Sequence, residues 1–178
     1  MAGIRPQRNA PAKLRREELQ ALWSDLAGND GVKVHRAVWA LAGDSARSVP
    51  LLGERVRPVV AVDPKVTDRL LADLGSSRFA VREKAARELE DLGEAAHPAL
   101  RTVLAGSPAL EVRRRVERLL ERPPAPPPAA SRAVEVLEHA GTPEARELLQ
   151  RLARGLPDAG LTREARASLA RLTKRSPR

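Results

Sequence analysis

Residues 66–106 read VTDRLLADLG (66–75), FAVREKAARELEDLG (79–93) and EAAHPALRTVLAG (94–106), three helix-like runs separated by two short breaks. In the middle run Val81, Ala85, Leu89 and Leu92 recur on one helical face. Ser76 or Ser77 stands where a cap is needed, and Gly93 can adopt the left-handed conformation that ends the helix. Glu83–Arg87 and Arg87–Asp91 form i,i+4 pairs on the opposite face. His97-Pro98 opens the third run, which buries Leu100, Val103 and Leu104.

The same pattern returns on both sides at a spacing of 48 residues. Upstream, Leu22, Asp25, Leu26, Ala37, Leu41, Pro50 and Leu52 match Leu70, Asp73, Leu74, Ala85, Leu89, Pro98 and Leu100. Downstream, Ala85, Leu89, Glu90, Gly93, Leu100, Leu104 and Ala105 match Ala133, Leu137, Glu138, Gly141, Leu148, Leu152 and Ala153. A register that holds in both directions predicts an all-α chain, a small α-solenoid of about three 48-residue copies plus a C-terminal capping helix.

The flanking copies fill in this plan. In the first, Leu19, Leu22, Trp23 and Leu26 make one apolar face, and Gly28-Asn29-Asp30-Gly31 forms the turn. Val34, Ala37, Val38 and Leu41 make the next face, and a third helix is expected near Ser48, with Pro50 in its first turn. Residues 58–64, PVVAVDP, read as an extended connector. The third copy opens with Ser107 as cap and Pro108 at the first helical position, then turns Val112, Val116, Leu119 and Leu120 inward. Residues 123–128, PPAPPP, predict a stiff polyproline spacer. Gly141 stops the following helix, Thr142-Pro143-Glu144 starts another, and a last helix spans Thr162 to about Thr173. The organisation expected is a basic disordered arm at 1–13, one domain over 14–173 and a basic tail at 174–178. Within the domain the copies cover about 17–64, 65–107 and 108–156, with the cap at 161–173.

Composition fits helices packed through small side chains, because Ala and Leu dominate and Trp23, Trp39 and Phe79 are the only aromatic residues apart from histidine. No run approaches the roughly 20 apolar residues of a membrane span, and the basic N-terminus lacks the apolar core of a secretory signal. A cytoplasmic location is the expectation. The absence of cysteine excludes disulfides and thiolate metal sites. The net charge of +9 invites a nucleic-acid reading, but it resides at the ends. Arg5, Arg8, Lys13, Arg15 and Arg16 lie within residues 1–16, and Arg171, Lys174, Arg175 and Arg178 within 171–178, while residues 17–170 are neutral.

Val81-Arg82, Ala85-Ala86, Leu89, Leu92-Gly93, Pro98 and Leu100 give the pattern V-R-x-x-A-A-x-x-L-x-x-L-G followed by a proline-containing helix. This pattern resembles a HEAT repeat. Over roughly residues 17–173 the chain is similar to the HEAT-like module that accompanies WD40 propellers in bacterial multidomain proteins, although blade-like strand signals are missing here. The resemblance implies a HEAT/armadillo-like scaffold that binds other proteins or neighbouring domains, and it brings no catalytic motif with it.

The residues themselves point the same way. His35, His97 and His139 form no metal-binding pair at helical spacing, and there is no phosphate-binding loop or nucleophile elbow. The acids Glu88, Glu90, Asp91 and Glu94 are expected to be a solvated face. The chain therefore reads as non-enzymatic, without cofactor or metal. By analogy with HEAT repeats, the resemblance implies that the helices near 45–57, 94–106 and 142–155 line the interaction surface, presenting Arg47, Glu54, Arg55, Arg101, Thr102, Glu147, Gln150, Arg151 and Arg154. Trp39 aligns with the exposed-looking Arg87 and is a further contact candidate. Arg114, Arg118 and Arg122 make one basic ridge at i,i+4, so the alternative function is nucleic-acid binding through the tails and the Arg113–Arg122 ridge.

Overall fold

The computed structural model describes residues 13–121 and 128–175. Every regular element among them is helical. The expected first copy holds α1 (Arg16–Ala27), α2 (Gly31–Gly43) and α3 (Ser45–Arg55). Next come α4 (Pro64–Leu74), α5 (Phe79–Leu92), a 3-10 turn (Gly93–Ala96) and α6 (His97–Ala105). Then follow α7 (Leu110–Glu121), α8 (Pro128–Ala140), α9 (Pro143–Ala153) and α10 (Gly160–Arg175).

Local chemistry explains most of the boundaries. Asp30 caps α2 by accepting from the backbone N–H of Val32 (3.0 Å) and Lys33 (3.2 Å). Asp63 caps α4 in the same way, with Pro64 at the first helical position, where no donor is missed. Gly93 ends α5 at φ 53°, and Gly141 follows α8 at φ 60°, both in the region that side chains disfavour. Positions 48 residues apart also share their environment. Ala37, Ala85 and Ala133 are buried, as are Leu41, Leu89 and Leu137, and Leu52, Leu100 and Leu148.

Several starts differ from expectation. Helix α3 begins at Ser45, not near Ser48; the Ser48 hydroxyl is buried and donates to the Leu41 carbonyl at 2.7 Å, tying α3 to α2. Pro50 therefore lies inside the helix instead of in its first turn. Arg78, not a serine, is the N-cap of α5, while the Ser76 hydroxyl, two residues earlier, accepts from the Arg78 N–H. Helix α7 starts at Leu110 because Ser107 takes φ 54° and the Ala109 carbonyl is the one that accepts from Arg113. Pro128 is the first residue of α8, so the last proline of the 123–128 run is helical; the rest of that run lies outside the described residues. The basic residues also belong to the fold more than expected: Arg16 begins α1, and α10 carries Arg171, Lys174 and Arg175. Arg5, Arg8 and Arg178 lie outside the described residues.

The chain divides into two compact units. Among the described residues, the first comprises 13–57, 128–151 and 164–175. Its helices α1 and α2 pack together, and α8 lies against α1, α2 and α3. A helix of the expected third copy is thus packed on the first copy, so the packing order is not simply the chain order. Leu26, Ala37, Leu41, Leu52, Ala133 and Leu137 are buried there. Arg132 of α8 donates from Nη1 to the carbonyls of Leu26 and Gly28, both at 2.6 Å, satisfying acceptors at the end of α1.

Among the described residues, the second unit comprises 58–121 and 152–163. Leu70, Leu74, Ala85, Leu89, Ala96, Leu100 and Val116 form its core, with Val112, Leu119 and Leu120 packed against it. Residues 58–63 form no regular element, and the Val59 carbonyl accepts from the Leu156 N–H at 2.7 Å.

Candidate partner-binding surfaces

In the first unit, α3 and α9 border an open groove of about 710 Å³. Its apolar lining includes Val49, Pro50 and Leu148, and its polar lining includes Glu54, Glu144, Glu147 and Arg151. Gly53 decides how closely the Arg151 side chain can lie on α3. A Cβ at that position would stand 2.9 Å from the Arg151 Nη2, so the guanidinium rests on bare backbone. The three carboxylates have neither an ion-pair nor a hydrogen-bond partner among the described residues. Glu54, Glu147 and Arg151 are legible in the sequence as surface positions, whereas the sequence marks Glu144 only as part of a helix start. Its place in the groove follows from the turn between α9 positions 144, 147 and 151, which returns those residues to one face.

The other candidate residues of this unit have local partners. Arg47 lies 3.5 Å from Asp44, whose carboxylate also accepts from the Leu14 N–H at 2.8 Å. Arg55 donates to Gln20 at 2.8 Å and stands 6.0 Å over the Trp23 ring. Trp39 is 52% exposed and is flanked by two imidazoles. His139 of α8 lies against it with ring centroids 4.4 Å apart, and His35, one helical turn back on α2, meets it edge-on at 6.2 Å. Val32 of α2, 81% exposed, lies two turns back on the same helix. The i,i+4 relation of His35 and Trp39 was present in the sequence. The approach of His139, a hundred residues away along the chain, carries no local signal.

In the second unit Arg101 is ion-paired with Asp158. Arg114 and Arg118 are exposed on α7 and have no ion-pair or hydrogen-bond partner among the described residues. Arg122 lies outside the described residues. Arg115 leaves the ridge: it donates to the Leu74 carbonyl at 3.1 Å and to Glu111 at 2.7 Å. Arg154 is exposed just beyond α9, and Thr102 donates to the Pro98 carbonyl at 3.0 Å. Arg118 borders a cavity of about 220 Å³ together with His97 and Glu90. Burial, and then the nearby Arg101 charge, hold the His97 imidazole below its ordinary pKa.

The acid cluster on α5 is dispersed. Glu88 pairs with Arg69 at 3.6 Å and Lys84 at 3.8 Å, and Glu94 accepts from the Gly160 N–H at 2.9 Å at the start of α10. The expected Glu83–Arg87 and Arg87–Asp91 pairs are not closed. Among the described residues no group of three or more His, Asp or Glu side chains is placed to hold a metal ion, and no helix is long and apolar enough to cross a membrane.

These features define an all-α protein whose described surface offers a half-apolar, carboxylate-rimmed groove, an exposed aromatic cluster and a basic helix face. No protein-family model, curated protein or solved structure matches the chain.

Proposed function

We propose that this chain is a non-enzymatic protein-interaction scaffold, built from HEAT-like helical repeats and acting in the cytoplasm. The observation that carries the reading is the groove bordered by α3 and α9. These are two of the helices that, by the resemblance to HEAT repeats, are expected to carry the interaction surface. Leu148 and Val49 anchor the groove on buried side chains, so a partner would meet a preformed surface. The shared burial of positions 48 residues apart supports the repeat reading.

The test is affinity capture from nuclease-treated lysate with the wild-type chain and with Glu147→Arg and Arg151→Glu variants, checking helicity by circular dichroism. The scaffold reading expects a discrete protein retained by the wild type and reduced at least severalfold by variants that keep full helicity. Equal retention by all three baits would remove the groove from the account.

The second reading is nucleic-acid binding, supported by the unpartnered Arg114 and Arg118 on α7. It expects duplex affinity that falls steeply with salt and weakens in Arg114→Ala and Arg118→Ala variants. Affinity that ignores both salt and these substitutions would end it.

A further inference from the structure

The chemistry of the α3–α9 groove selects among protein partners. We infer that it accepts a basic, amphipathic segment of another protein, apolar side chains against Val49, Pro50 and Leu148, lysines or arginines against Glu54, Glu144 and Glu147. This rests on the scaffold reading and adds the partner's class to it.

Three observations converge on that occupant. First, the groove offers three carboxylates against one guanidinium, and the carboxylates have no partner within the described chain. Second, Arg151 lies on the backbone at Gly53 and forms part of the wall, which leaves the acids as the dominant polar groups. Third, Pro50 has no N–H to donate and lines the groove beside Val49 and Leu148, adding apolar surface next to the acids. A segment with cationic donors and apolar side chains satisfies both kinds of group. A polyphosphate backbone is repelled by the same carboxylates, and a purely apolar ligand leaves them unpaired. The whole chain is positive, but at about 0.15 M salt charges beyond roughly 8 Å are screened, so the local acids govern the encounter.

The probe is a synthetic Leu/Lys peptide in amphipathic helical register, labelled for fluorescence anisotropy, with a Leu/Glu peptide of the same register as competitor. Both are titrated at physiological salt against the full chain and two triple variants. One variant combines Glu54→Gln, Glu144→Gln and Glu147→Gln; the control combines Glu83→Gln, Glu90→Gln and Asp91→Asn on α5. The expected result is binding of the Leu/Lys peptide that weakens about tenfold in the groove variant, three exposed pairs at about 0.5 kcal/mol each. The control variant should bind as the wild type does, and the Leu/Glu peptide should not compete.

Equal weakening in both variants would show diffuse charge attraction and overturn the proposal, as would competition by the Leu/Glu peptide. Failure of the Leu/Lys peptide to bind would overturn the basic occupant. The scaffold reading would survive that result if captured proteins still depended on Glu147 and Arg151. Tighter peptide binding after removal of residues 1–12 would assign the groove to the chain's own basic arm instead of a partner.

Discussion

Glu138 of α8 holds Arg171 of α10 by two parallel hydrogen bonds, Nε to Oε1 at 2.8 Å and Nη2 to Oε2 at 2.6 Å. Ser168 donates to the same carboxylate at 2.8 Å, and Arg175 stands 3.9 Å away. Two cations that read in sequence as tail charge are thus bound to a carboxylate only 10% exposed. The Arg171 hydrogen bond outweighs burial and holds the Glu138 carboxyl below its ordinary pKa.

The folded-state pKa of Glu138 is depressed, so its stabilisation is fully present above the ordinary carboxylate value and is lost as pH falls through the folded one. Glu138→Gln should cost about 1–3 kcal/mol at neutral pH, moderated because the Arg171 side chain is half exposed and can rehydrate. Urea midpoints measured from neutral to acid pH check both parts. The variant should show a shallower acid limb than the wild type, and parallel limbs would contradict the linkage.

His97 should give a second pH signature, of different origin. Its imidazole is held below the ordinary value of about 6.5, mainly by burial. Below that value the unfolded chain takes up a proton that the folded chain resists, so stability declines as pH falls from there to the folded pKa. His97→Gln should flatten the stability curve in that window, read by thermal melts across it. An unchanged slope would mean that the histidine protonates equally well in both states.

Gly155 should be intolerant of a methyl group. A Cβ there would lie 2.5 Å from the Thr162 Oγ1 and 2.9 Å from the Val59 carbonyl oxygen. Gly155→Ala should destabilise by about 1–3 kcal/mol. Gly31→Ala, where nothing lies within 4 Å, should be neutral or slightly stabilising. Chemical denaturation of the two variants tests the contrast, and equal midpoints would contradict it.

Trp39 and His139 should be energetically coupled. Their ring centroids are 4.4 Å apart, and such contacts contribute about 0.5–1.5 kcal/mol. A double-mutant cycle with Trp39→Ala and His139→Ala measures this directly. Additive losses would show that the two rings are adjacent without interacting.

The helices were legible because each run keeps its apolar residues on one face and ends at a residue with a physical reason to stop, as at Gly93 and Gly141. Buried positions were legible for the same reason: Leu41, Leu89 and Leu137 occupy equivalent places and are all enclosed. Sequence reasoning misplaced starts where a polar side chain had two uses. Ser48 looked like a cap and instead bonds the previous helix, and the ridge residue Arg115 bonds the end of α4. Period alone could not show that α8 packs on α1 and α2, because it fixes which face is apolar and not which helix covers it. The groove was half legible for that reason: Glu54, Glu147 and Arg151 were recognisable as surface residues, but their shared cavity depends on tertiary packing.

The most direct test of the central claim is hydrogen exchange, followed by mass spectrometry, on the full chain with and without a partner obtained by capture. The scaffold account predicts protection on binding concentrated in 45–55 and 143–151, the segments that border the groove. Protection confined to 110–121, with the groove segments unchanged, would place the partner on the basic face of α7 and contradict it.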